Sequence, residues 1–213
     1  TYQATLEFLL ERLADRTFGS LLDVGCGDGR FLCEVAARWP GAELAGVDSS
    51  ERAVALARAF CPKARLVCGD ISEAALADRR FDAISALEVL EHIHPDQSVD
   101  FLRGLCERLS AEGVLLLTVP SDNVPVSAKH YRHFNADSLA ATLAPFFRIE
   151  ELHYLARRSP LNRLIRCALW NRSYAVTAPW LVHRVYNWYR RRLLHAEPAN
   201  AGKLCVVCSP TKF

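Results

Sequence analysis

The 213 residues are 51% hydrophobic and 23% charged, a balance that suits one folded domain with a full core. No apolar run approaches the ~20 residues a membrane span needs, so a spanning segment is excluded. Net charge is only +2, yet nine arginines and no acid lie between Leu152 and Ala196, which leaves the remainder net acidic. Such a block usually faces an acidic partner or an anionic surface.

The N-terminus reads as an amphipathic helix on Leu6, Leu9, Leu10 and Leu13, not as a secretion signal. Ser20–Val24 reads as a first strand running into glycines. A helix follows over 30–39 and stops at Pro40-Gly41. Residues 43–47 form a second strand, ended by Asp48, and Ser50 caps a helix through Phe60. A third strand spans 64–68, a fourth Phe81–Leu87 and a fifth 114–119, with a helix from Asp96 to Leu109 between the last two. Residues 135–146 read as helix and 148–155 as strand, and 203–208 read as a last strand. The eight cysteines mostly sit in apolar runs and read as buried thiols of a cytoplasmic protein. Cys205 and Cys208 come nearest to a metal pair, but no second pair completes a zinc site.

This alternation predicts an α/β fold: a doubly wound, mostly parallel, seven-stranded sheet with helices on both faces. Near-continuous apolar strands fit burial on both sides. Ligands of such sheets bind beyond the carboxyl ends of the strands. The glycines, Asp48, Asp70 and Glu88 all fall just past a strand's end, so they are expected on one rim. The division expected is 1–157 as core, 158–202 as a basic, aromatic-rich helical insertion or lid, and 203–213 as the last core strand.

The stretch LLDVGCGDGR, residues 21–30, leaves the backbone bare after a buried strand. Gly25, Gly27 and Gly29 exceed what one turn requires, which implies close approach of a ligand. A dinucleotide loop wants glycine where Arg30 stands, and Asp23 would crowd a bound anion. A zwitterionic, non-phosphate ligand fits better.

LLDVGCGDGRF resembles motif I of the class I S-adenosylmethionine-dependent methyltransferases, a Rossmann-like family, and GVDSS, VCGDI, FDAISALEVLEHI and LLLTVPS follow in that family's order. The resemblance implies S-adenosylmethionine as cofactor. It implies ribose hydroxyls on Asp48 beside Ser49, adenine at Asp70 and Ile71, the amino end near Asp23, Gly25 and Gly27, and a lining from Leu87 and Glu88.

EVLEHIH (88–94) and KHYRHF (129–134) should overhang the substrate side of that rim. Transfer to oxygen needs a deprotonated hydroxyl, so His92, His130 and His133 are the candidate catalytic residues. A helical turn over 88–92 would put Glu88, Glu91 and His92 partly on one face. With His130 or His133 they would make a two-carboxylate, two-histidine site for a divalent metal. That constellation resembles the small-RNA 3′-terminal ribose 2′-O-methyltransferases and also quinone and small-molecule O-methyltransferases. The bland alternative keeps the acids as rim packing and the histidines bonded to backbone.

A helix over 179–194 carries Trp180, His183, Arg184, Asn187 and Arg191 on one side and Leu181, Val182, Val185, Tyr186, Trp188, Tyr189 and Leu193 on the other. Through 158–195 it suits a lid over a hydrophobic substrate, then a membrane surface or lipid-linked acceptor, then RNA. The expected function is O-methylation of a small or lipid-like hydroxyl acceptor. The rivals are an RNA-end 2′-O-methyltransferase with a metal, and a non-catalytic cofactor-binding partner.

Overall fold

A computed structural model describes residues 2–72, 79–162 and 178–211. Helix α1 (Tyr2–Ala14) buries Leu6, Leu9, Leu10 and Leu13, the stripe that the sequence predicts. There follow β1 (Ser20–Val24), α2 (Arg30–Arg38), β2 (Glu43–Asp48), α3 (Glu51–Phe60), β3 (Arg65–Cys68) and β4 (Phe81–Leu87). Then come α4 (Ser98–Arg108), β5 (Leu109–Pro120), α5 (Ala136–Leu143), β6 (Phe147–Leu155), α6 (Pro179–Arg192) and β7 (Lys203–Pro210).

The strands form one seven-stranded sheet in the order β3-β2-β1-β4-β5-β7-β6. The pairs among β1 to β5 are parallel, and β7 runs antiparallel between β5 and β6. Strand order reverses at β1, which lies between β2 and β4. That reversal is the switch point where open α/β sheets bind ligands. Helices α1, α2, α3 and α6 supply side chains to the core on one face, and α4 and α5 to the core on the other. Leu21, Leu22, Asp23 and Val24 of β1 are all buried, as a central strand requires.

Some boundaries differ from expectation for local reasons. Pro95–Gln97 is a separate 3-10 turn, so α4 begins at Ser98. Strand β5 begins at Leu109, which is buried and pairs with Phe81 across a register shift. Asn135 caps α5, accepting from the Ser138 amide at 2.9 Å, and Pro145 keeps the helix from running on to Phe146.

Of the expected insertion, 163–177 lies outside the described residues. The two ends are anchored. The Ala156 and Arg157 amides donate to the carbonyls of Leu194 and Leu193, at 2.7 and 2.9 Å. Tyr189, Leu193 and Leu194 are buried, and Arg190 pairs with Glu7 at 2.9 Å and Glu11 at 2.5 Å on α1. Trp188 turns outward rather than into the apolar face, because the side of α6 against α1 is held by its neighbour Tyr189 and by Arg190. Among the described residues, no helix is long and apolar enough to cross a membrane.

The foot of the β1–β4 pair is clipped by one carboxylate. Asp82 Oδ2 accepts from the amides of Gly19 and Ser20, at 2.8 and 3.0 Å, and from the Ser20 hydroxyl at 3.1 Å. Burial alone would raise its pKa, but these donors outweigh it and hold the carboxyl below the usual range. Asp82→Ala should cost about 1–3 kcal/mol in denaturant unfolding at pH 7. A depressed pKa gives stability that is present above the ordinary carboxylate range and is lost as pH falls through the folded value. The gap between wild type and variant should therefore close in acid.

Candidate active site

The turn after β1 alternates glycines with Cys26 and Asp28, and its glycines stand there for different reasons. Gly25 has φ +70° and Gly27 φ +55°, a region that residues with a Cβ rarely adopt. A Cβ on Gly25 would lie 2.5 Å from a Val89 methyl. At Gly27 the reason is different: a Cβ there would meet nothing within 4 Å, so its bare face is open. The amides of Gly25 and Cys26 both donate to the Val47 carbonyl, at 2.8 and 3.1 Å, which folds the turn back on β2.

Asp48 ends β2 and faces the same turn. Its Oδ2 accepts from the Gly27 amide at 2.9 Å and its Oδ1 from the Ser50 amide at 2.8 Å. Each oxygen keeps lone-pair capacity for a further donor. Asp23 is buried beside it, with Oδ1 accepting from the Ser85 hydroxyl at 2.7 Å. Burial first, and the Asp48 charge last, push Asp23 up to about 7 against the pull of that hydroxyl.

The other expected cofactor residues occupy the same edge in different ways. Asp70 is bound by the Ser72 amide (2.7 Å) and hydroxyl, which lower its pKa. The Ile71 side chain is buried and packs against Gly104 of α4. The Ser49 carbonyl accepts from the Cys68 thiol at 3.9 Å. Leu87 is half-buried against the core.

Glu88 departs from the helical turn expected over 88–92. Its φ is +57°, and the helical turn that follows is a 3-10 segment, Leu90–His92. The Glu88 amide donates to the Thr118 carbonyl at 3.0 Å, and its carboxylate lies 3.4 Å from Lys203 Nζ. That geometry separates Glu88 from the metal-type cluster. A carboxylate oxygen of Glu91 and one ring nitrogen each of His92 and His130 lie within 4.8 Å of one another, without Glu88 or His133.

Glu91 is fully buried, and neither of its carboxylate oxygens has a hydrogen-bond partner. Burial first and Glu88 second push it up to about 8, while its own amide and Lys203 pull it down. The two loops are tied by the Tyr131 amide, which donates to the Glu91 carbonyl at 2.8 Å. His92 Nδ1 lies 2.9 Å from the Lys129 carbonyl, His130 Nδ1 2.7 Å from His133 Nε2, and His133 Nδ1 2.8 Å from the Val124 carbonyl. Burial first, then His92 and His133, hold His130 below the usual histidine range.

Two residues of this rim carried no sequence signal. Lys203, at the head of β7, is a single lysine in an otherwise apolar strand. Tyr2 lies near the glycine turn: partial burial first, then Asp23 and Asp28, raise its hydroxyl.

The chain matches a methyltransferase-domain family model over residues 1–162. It is 30% identical over 147 residues to a probable S-adenosylmethionine-dependent methyltransferase of Mycobacterium tuberculosis, covering 64% of this chain and 52% of the relative. It is 33% identical over 125 residues to a mitochondrial ubiquinone biosynthesis O-methyltransferase of Schizosaccharomyces pombe, covering 54% and 44%. The chain thus spans about half the length of the curated relatives it matches. The N-methyltransferase NodS of Bradyrhizobium japonicum, solved with S-adenosylhomocysteine, superposes with TM-score 0.67 at 16% identity, covering 99% of this chain and 87% of that one, a likeness of fold. Motif, strand order and a family match over 162 of 213 residues agree: the chain belongs to the class I S-adenosylmethionine-dependent methyltransferases.

Proposed function

We propose that this chain transfers the methyl group of S-adenosylmethionine to a hydroxyl oxygen of a small or lipid-like acceptor. One observation carries the choice of oxygen: imidazoles and a carboxyl group converge beside Glu88, on the rim that holds Asp48 and the bare turn. A hydroxyl becomes a nucleophile only after it sheds a proton, and this cluster is where that proton is lost. The S. pombe relative, an O-methyltransferase by name, supports the same acceptor atom.

The residues fit the cofactor. Asp48, with lone-pair capacity on both carboxylate oxygens, would hold the cofactor's sugar hydroxyls, and the open face of Gly27 would leave room for its chain. Asp23, Gly25, Ser49, Asp70, Ile71, Leu87 and Glu88 complete the cradle, with Asp23 toward the ammonium group. When bound, the cofactor supplies an electrophilic methyl on sulfur. The protein positions the acceptor oxygen against it, and positioning supplies most of the acceleration. His92 and His130 face the acceptor, and His133 stands behind His130.

The basic segment 158–202 is read as the cover of this rim. Helix α6 leaves Trp180 66% exposed, Trp188 37% exposed, and Arg184, Arg191 and Arg192 outward. Tryptophan with arginine on one exposed face supports a lipid-like acceptor met at an interface.

Calorimetry with S-adenosylhomocysteine tests the cradle. Wild type should bind it, and Asp48→Ala should bind roughly 10–100-fold more weakly, the loss of charge-assisted bonds. No binding by wild type would end this reading. Transfer of labelled methyl to hydroxyl acceptors, but not to RNA ends, tests the substrate class.

A second test uses pH. The fold prefers Asp23 neutral, so its contribution to stability is complete below the ordinary aspartate range and is lost as pH rises through about 7. Unfolding of the ligand-free protein should show wild type losing stability relative to Asp23→Asn between about pH 4 and pH 7, with the gap constant above that. Parallel profiles would place the ionisation elsewhere.

A further inference from the structure

The structure assigns a redox modification site to Cys33 of α2 and Cys61 at the end of α3: a thiol pair that a small-molecule disulfide closes into a bond and a small thiol reopens. The site lies on the helices behind the glycine turn and is independent of which acceptor is methylated.

The helices that carry the two cysteines touch one turn before them. Gly29, at the start of α2, approaches α3 so nearly that a Cβ on it would lie 3.0 Å from the Ala57 methyl. The Cys33 amide donates to the Gly29 carbonyl at 2.9 Å, and the Cys61 amide to the Ala57 carbonyl at 2.8 Å. Each cysteine therefore stands one helical turn beyond the contact, and residues four apart share a helix face. Helix α2 joins β1 to β2 and α3 joins β2 to β3, all parallel strands, and both helices pack into the same core cluster. They run side by side in one direction, so faces that meet at Gly29 and Ala57 meet again at Cys33 and Cys61. Cys61 is a buried member of that cluster, 3% exposed, and Cys33 packs against it half-buried.

The two side chains act on each other directly, and both are free thiols. Burial first, then the charge of Cys33 and the side-chain contact with it, hold the Cys61 thiol above its usual range. A disulfide needs Cα atoms within about 7 Å and Cβ vectors that converge, which facing positions on touching helices provide. Exposure separates the roles of the two. Cys33 lines a cleft of about 420 Å³ with Asp28, Arg30, Glu34 and Phe60, wide enough for a small reagent. Cys61 lies behind it in the core.

That separation orders the chemistry. The Cys33 sulfur attacks one sulfur of the small disulfide, whose S–S bond breaks, and the departing half takes up the proton that Cys33 gave. The mixed disulfide leaves neither charge nor proton on Cys33. Two of the three influences that raise Cys61 thereby vanish, and burial alone remains. The Cys61 sulfur then attacks that of Cys33, and the second small thiol leaves with the Cys61 proton. In sum, two protein thiols lose two electrons, and one small disulfide is reduced to two small thiols. The new bond closes a ring over residues 33–61, which contains β2 and Asp48. Where thiols are kept reduced the pair stands open, so the bond responds to the redox state around it.

The experiment treats the whole chain, freed of tag and fully reduced, with oxidised glutathione. Remaining thiols are blocked by alkylation, and tryptic peptides are mapped by mass spectrometry. Expected is one linked pair, FLCEVAAR (31–38) with AFCPK (59–63). It should grow as the ratio of oxidised to reduced glutathione rises and disappear when reduced glutathione is restored. Cys61→Ala should stop at glutathione carried on Cys33, and Cys33→Ala should leave Cys61 unmodified. The wild-type map decides the site without relying on either variant to fold. Absence of the linked pair under native conditions, its formation only in denaturant, or linkage of Cys33 to a different cysteine overturns the site. Glutathione found on Cys61 in Cys33→Ala overturns the order of attack.

Discussion

The rim is organised by a backbone that must be approached closely and still be held in place. The turn at 25–29 leaves the open face of Gly27 bare and is held from behind, with the Cys26 side chain buried in the core. The Val47 carbonyl takes two of its amides, and Asp48 takes a third. Asp48 therefore works as a brace for the turn and, in the proposed function, also as the carboxylate that meets the cofactor. Both tasks fall to β2 because β1 lies between β2 and β4, where connections leave in opposite directions and open a crevice.

Around that crevice the protein places carboxyl groups where burial opposes charge. Asp23 and Glu91 both lie fully inside, and both are driven toward the neutral form by desolvation. They differ in what surrounds them. Asp23 has the Ser85 hydroxyl, which satisfies one oxygen whether or not the group is ionised. The carboxylate oxygens of Glu91 have no partner from another residue, and Lys203 acts on them only through space. A buried acid without a partner lowers its cost by staying protonated, the form its surroundings favour.

The glycine turn and the strands were legible because their signals are local. Apolar runs bounded by Pro-Gly, Gly-Asp and glycine clusters mark strands whatever the rest of the chain does, and Ser50 shows its cap in one residue. What escaped was decided by residues far apart in the chain. Glu88 takes a positive φ because Thr118, thirty residues on, holds its amide. Lys203 reaches the rim only because β7 turns back between β5 and β6. Trp188 reads as apolar-facing on a helical wheel, but the packing of α6 on α1 is set by Arg190 and Tyr189, which turn it outward.

Glu88 is the joint between the two halves of the rim. A non-glycine residue at φ +57° costs of order 1–3 kcal/mol and persists only where its surroundings over-determine it. Here Thr118 fixes the amide and Lys203 faces the carboxylate. Its charge reaches both ways: it opposes ionisation of Glu91 and favours the charged form of His130. Lys203 opposes it by favouring ionised Glu91. A proton at the histidine cluster is thus felt at Glu88, which follows β4 on the same sheet edge as Asp48.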